Sequence, residues 1–151
     1  MPSRFLLCRV RDVSCALPLA QVEETMRPLP VEAINGMPPF VRGVAIVRGA
    51  PIPVVDAEAL LFGSTGSQVT RFVTVKTGSR RVALSVGAVA GIVDVPAETV
   101  AAMPPLLKQA RDDVVASVGA LDQELLLVLS AAKIATDEVW ALAVQRSGDT
   151  T

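Results

Sequence analysis

Short segments rich in Val, Ile, Leu and Thr recur along the chain between Gly, Pro, Ser and Asp punctuation. That spacing predicts many short strands. Residues 4–10 and 13–17 flank Arg11-Asp12, which predicts a tight hairpin with Cys8 facing Cys15 across it. Behind Pro18 a helical turn is expected over 19–22, and 23–29 returns as a strand stopped at Pro28 and Pro30, which lack the donor a ladder needs. Asn35-Gly36-Met37-Pro38-Pro39 continues neither helix nor ladder and reads as a connector. Residues 41–47 and 50–55 predict a second hairpin turning at Arg48-Gly49, followed by a short helix over 56–61 with Asp56 as its N-cap. Residues 96–113 are expected to form a long excursion. From Thr136, the acids Asp137 and Glu138 and the pair Trp140 and Val144 predict a closing helix over 136–146, with Trp140 anchoring it.

An internal repeat organises these elements. The stretch beginning at Phe5 resembles the one beginning at Phe72, and Cys15 to Val22 keeps step with Val82 to Val89, both at an offset of 67 residues. The stretch 44–60 resembles 118–134 at an offset of 74. The reading is an all-β chain of two pseudo-repeated lobes, each a small five-stranded, SH3-like β-barrel, because a flat sheet of that size leaves an apolar face wet. Lobe one is placed mainly over 14–65 and lobe two mainly over 66–135, joined by a linker at 63–67, with the N-terminal strand and the C-terminal helix packed on both. Pro51 and Pro53 sit two apart, so their missing donors point the same way, which predicts an edge or a barrel rim.

Composition narrows the chemistry. The 151 residues are 51% hydrophobic and 19% charged, enough apolar surface for a core and too little charge for a disordered chain. The net charge is −1 and the longest basic cluster is Arg80-Arg81, which leaves no nucleic-acid footprint. Histidine is absent, so no imidazole is present to activate Ser14, Ser85 or Thr74, to bind a metal or to accept a phosphoryl group. Two cysteines cannot complete a four-ligand zinc site. Glu23, Glu24 and Glu32 are read as solvated charge, since neighbours on a regular strand point to opposite faces. Neither a cofactor nor a metal is therefore expected. No apolar run approaches the roughly 20 residues needed to cross a bilayer, and no secretory leader is apparent, so a soluble cytoplasmic protein without membrane insertion is the expectation.

One polar residue stands out. Arg48 occupies the turn of an otherwise apolar hairpin, either as a handle for a partner or as an ordinary exposed tip.

With these residues in view, the chain resembles the CheW family of chemotaxis coupling proteins. Phe5-Leu6-Leu7, residues 17–24, Pro38-Pro39-Phe40-Val41-Arg42-Gly43-Val44, Val47-Arg48-Gly49 and Pro51-Ile52-Pro53-Val54-Val55-Asp56 stand in the family's order and spacing. The likeness runs from about residue 4 to 140 and is strongest over 40–56. It implies two small five-stranded barrels and a non-enzymatic adaptor. Such an adaptor joins the cytoplasmic tips of methyl-accepting chemoreceptors to the regulatory domain of the histidine kinase CheA in arrays that can include other CheW-like proteins. By matching position, the resemblance implies Val22, Glu24, Gly43 and Arg48 as receptor-side partner-binding residues. Gly43 would act through backbone room and Arg48 through a charge or hydrogen bond at a groove between lobes.

The chain also departs from the family pattern. Ile46 stands where an Asn is usual, Gly87 and Ser130 where Asp is customary, Cys15 at a place that is often aromatic, and Arg11 in place of a hairpin glycine. These departures keep a second reading open, a CheW-like protein that binds receptor alone and modulates the array. A third reading, from a different class, is a small-molecule-binding or hydrolytic β-barrel.

Overall fold

A computed structural model describes residues 3–63, 66, 68–95, 100–101, 115–121 and 124–129. The expected helix over 136–146, with Trp140, and Ser130 lie outside these residues. Eleven strands are described: β1 (Ser3–Val10), β2 (Val13–Pro18), β3 (Val22–Met26), β4 (Val41–Val47), β5 (Ala50–Asp56), β6 (Arg71–Thr77), β7 (Arg80–Val86), β8 (Ala88–Val95), β9 (Val100–Ala101), β10 (Val115–Leu121) and β11 (Glu124–Leu129). A 3-10 turn, Leu19–Gln21, follows β2, and one helix, α1 (Ala57–Phe62), follows β5. The all-β class expected from the sequence is what the chain adopts.

The strands form two sheets, one of five in the order β3-β6-β7-β5-β4 and one of six in the order β8-β1-β2-β11-β10-β9. Each sheet takes strands from both sides of the 63–67 segment. The repeat read from the sequence explains the arrangement. At offsets of 67 and 74, β1-β2-β3 correspond to β6-β7-β8, and β4-β5 to β10-β11. The N-terminal hairpin β1-β2 sits centrally with the later strands, while its counterpart β6-β7 sits centrally with the earlier ones. Even the register repeats. Val54 pairs in parallel with Ala83, and Val128 pairs in parallel with Ala16. A bulge between Val22 and Glu24 has its counterpart between Val89 and Gly91, where β8 crosses Leu7 and Cys8 of β1.

The interior follows from the period-two alternation of each strand. Along β6, Val73 and Val75 face a large core shared by the two sheets, together with Leu6, Cys8, Leu17, Val55, Leu60, Leu61 and Leu84. Phe72, on the opposite face, enters a separate cluster with Ala45, Val47, Ile52, Val54 and Ala83 that belongs to the five-stranded sheet alone. Burying one such Val, Leu or Phe contributes about 1.5–3 kcal/mol, so each cluster is a substantial favourable contribution to folding. The helix α1 sits over the shared core. Its N-cap Asp56 accepts from the amides of Glu58 at 2.9 Å and Ala59 at 3.3 Å, as the sequence predicts.

At the tip of the β1-β2 hairpin, Arg11 adopts a positive φ of 57°. An L residue tolerates that backbone at a cost, and here the side chain is held by α1. The Arg11 guanidinium stacks 5.1 Å from the centre of the Phe62 ring and lies 3.9 Å from the Glu58 carboxylate. The residue that departs from the family pattern at this turn thus ties the six-stranded sheet to the helix that follows the five-stranded one.

Candidate partner-binding cleft

Three local features of the sequence open a cleft on the five-stranded sheet. The first is the bulge in β3. Val22 pairs with Val75 and Glu24 with Thr74, so Glu23 is the extra residue. The alternation that would send Glu23 and Glu24 to opposite faces is thereby broken, and both line the same cleft. The expectation that these acids diverge fails for this reason.

The second feature is β5. It is an interior strand rather than an edge, yet its ladder with β7 covers only Val54, Val55 and Asp56. Pro51 and Pro53, paired with Ile46 and Val44 of β4, fall before that ladder or at its start, on the side where no donor is required. The third is the β4-β5 turn, where Arg48 and Gly49 both have positive φ, 51° and 82°. That is the primed turn favoured by two-residue hairpins, and it swings the Arg48 side chain toward β3.

The result is a cleft of about 300 Å³ lined by Glu23, Glu24, Val47, Arg48, Ile52, Thr74 and Arg81. All seven lie on one sheet and its turn, and that sheet mixes the stretches on either side of 63–67: Glu23, Glu24, Val47, Arg48 and Ile52 come from the first, Thr74 and Arg81 from the second. Arg48 is bidentate to Glu24, donating from Nε to Oε1 at 2.7 Å and from Nη2 to Oε2 at 2.8 Å. Such a fork fixes the guanidinium plane as well as its position. The Glu24 amide donates to Thr74 Oγ1 at 3.2 Å, which ties this end of β3 to β6. Arg81 Nε lies 3.0 Å from Glu23 Oε1, a second ion pair beside the first.

Charge follows geometry. The hydrogen bond from Arg48 holds the Glu24 carboxyl below its ordinary range, and Glu24 in turn raises the Arg48 guanidinium.

Of the four residues singled out from the sequence, Glu24 and Arg48 meet directly. Gly43 lies on β4, in the hairpin whose turn carries Arg48, and does not line the cleft. At φ 147° it receives the returning chain so closely that a Cβ there would stand 2.1 Å from the Glu32 carbonyl oxygen. Glu32 and Val44 exchange backbone hydrogen bonds of 2.9 Å across this approach, which covers part of the outer edge of β4. Val22 is half-buried and packs against the shared core rather than lining the cleft. Glu23 and Arg81 were not among the expected site residues. Their pairing depends on the bulge, and nothing in the local composition announces a bulge.

Other departures also find places. Ile46 points outward from β4 with 62% of its surface exposed. Gly87 donates its amide to the Arg9 carbonyl at 3.0 Å, and a Cβ there would stand 3.1 Å from the same oxygen, so an aspartate needs the hairpin to shift. Cys8 and Cys15 pair across the hairpin as predicted, both fully buried and both with free thiols. Among the described residues no group of His, Cys, Asp and Glu is placed to hold a metal ion, and no helix is long and apolar enough to cross a membrane.

The family model described as "CheW-like domain" matches residues 4–139. The chain belongs to the CheW-like domain family. Among curated relatives, this CheW-like chain is similar to the Chemotaxis protein CheW of Klebsiella aerogenes, with 23% identity over 140 residues, covering 91% of this chain and 84% of that protein. Among solved structures, it matches the scaffolding protein TtCheW from Thermoanaerobacter tengcongensis with a TM-score of 0.80 and 19% identity. That match covers 93% of this chain and 97% of the other, so the CheW-like fold extends over nearly all of both.

Proposed function

We propose that this CheW-like protein is a cytoplasmic, non-enzymatic adaptor that links chemoreceptor tips to the regulatory domain of a CheA-type histidine kinase. The observation that carries the reading is the match of the CheW-like family over residues 4–139. The Chemotaxis protein CheW and the scaffolding protein it resembles point the same way. As an adaptor it needs no cofactor, and its place is in membrane-associated receptor arrays, with other CheW-like proteins as further neighbours. Its whole length acts as one CheW-like domain of two lobes.

Val22, Glu24, Gly43 and Arg48 form the receptor side in this reading. Arg48 and Glu24 present the charged contact, Gly43 holds the loop that flanks it, and Val22 supports β3 from the core. The arrangement suits recognition, because the charged groups of the cleft are paired with one another. Exposed Ile46, where the family usually has a polar Asn, favours a second reading in which the protein binds receptor alone and modulates the array.

Separate pull-downs against a receptor cytoplasmic fragment and a kinase regulatory domain distinguish the two. Capture of both supports coupling. Capture of receptor alone supports the modulator, and capture of neither by active partners removes both readings.

A further inference from the structure

The pair Glu23–Arg81 is unexplained by the architecture of the sheet. Arg81 stands directly opposite Lys76 in the β6-β7 ladder, and like charges so placed are unfavourable. Its partner Glu23 reaches it only because β3 is bulged. Both side chains are solvent-accessible, Arg81 with 43% and Glu23 with 30% of the side-chain surface exposed, and ion pairs of this exposure contribute little to folding. A locally unfavourable arrangement with little gain in stability is the pattern of a functional site.

The neighbouring pair defines what this site meets. Arg48 commits its Nε and Nη2 to Glu24, while its side chain remains largely exposed to solvent. The cleft therefore offers two carboxylates and two guanidinium groups side by side, with Thr74, Val47 and Ile52 behind them. Its net charge is zero. A purely acidic or purely basic partner gains on two groups and is repelled by the other two, whereas a segment carrying one acid and one base is complementary to all four.

Resting on the receptor-binding reading above, we infer that Glu23 and Arg81 form a second recognition element in the same cleft. On binding, this pair exchanges its internal partners for an acidic and a basic side chain of the receptor. An acidic side chain meets Arg81, and a basic one beside it meets Glu23.

The test compares Arg81→Ala with the exchanged double variant Glu23→Arg/Arg81→Glu, in the full chain, by calorimetric titration of a receptor cytoplasmic fragment alongside thermal melting. The expected result is an approximately tenfold weaker Kd for Arg81→Ala. The exchanged variant should melt no lower than the wild type, because the ion pair is re-formed and Lys76 then faces a glutamate, yet bind at least as weakly as Arg81→Ala, because the charges facing the partner are reversed. Recovery of wild-type affinity in the exchanged variant means that the pair only shapes the fold, and overturns the inference. An unchanged Kd for Arg81→Ala also overturns it. If Arg48→Ala weakens binding while both Arg81 variants bind normally, only this inference fails; a wild-type protein that binds no receptor fragment overturns it together with the adaptor reading.

Discussion

Arg48 grips Glu24 through two hydrogen bonds, 2.7 and 2.8 Å long, and so bridges the β4-β5 turn to the edge strand β3. Three-quarters of the Arg48 side chain is nevertheless exposed. The pair is held in shape by its own geometry while remaining open to a partner. Arg48→Ala is accordingly expected to weaken receptor binding about tenfold and to leave the melting temperature almost unchanged, since exposed ion pairs add little to stability and interface arginines often add much to affinity. Titration and melting of the same sample check both halves. A large drop in melting temperature with intact affinity contradicts the assignment.

The same bond predicts a titration. Hydrogen bonding by Arg48 favours the ionised form of Glu24, so its folded pKa lies below the ordinary carboxylate value. The linked stabilisation is fully present above that ordinary value and fades as pH falls through the depressed one. Carboxyl-detected NMR should show a Glu24 midpoint below that of a model glutamate in the wild type, returning toward it in Arg48→Ala. A wild-type midpoint at the model value contradicts the pairing in solution.

Gly43 is expected to behave differently. A methyl group placed 2.1 Å from the Glu32 carbonyl oxygen, on a backbone with φ 147°, requires the 31–33 segment to move away from β4. Gly43→Ala should lower stability by about 2–4 kcal/mol, combining overpacking with backbone strain. Urea unfolding measures it. A loss under about 0.5 kcal/mol, the range of ordinary surface substitutions, shows that the loop moves freely and that the glycine has no such constraint.

Cys8 and Cys15 are expected to be inert. Burial pushes both thiols up to about 12, with Cys8 adding to the effect at Cys15, so the nucleophilic thiolate is scarce at neutral pH. A thiol reagent at pH 8 should label neither in the native protein and both in denaturant. Fast labelling of the folded protein contradicts this burial.

Much of the fold was readable from the chain because its signals are local. The hairpin tips at Arg11-Asp12 and Arg48-Gly49, the N-cap at Asp56 and the offsets of 67 and 74 each rest on a few adjacent residues or on plain repetition. The exchange of the β1-β2 and β6-β7 hairpins between sheets was not legible, since the repeat is equally satisfied by either pairing. It is tertiary contact that places Ala83 beside Val54 and Ala16 beside Val128.

The candidate site divides along the same line. Arg48 is visible as a cation in an apolar hairpin, and Gly43 as a glycine in a strand. The assembly of Glu23, Glu24, Arg48 and Arg81 into one cleft depends on a bulge and on the short β5-β7 ladder. Pro51 and Pro53 do report that ladder, through donors they lack; they signalled an open side correctly but not that the strand is an interior one.

Coupling itself is tested most directly by co-sedimentation of a kinase regulatory domain with vesicles bearing receptor cytoplasmic tips, with and without this protein. The account predicts that the kinase domain sediments only when the protein is added, and that Arg48→Ala reduces the sedimented amount. Protein that binds the vesicles while the kinase domain stays in the supernatant contradicts it.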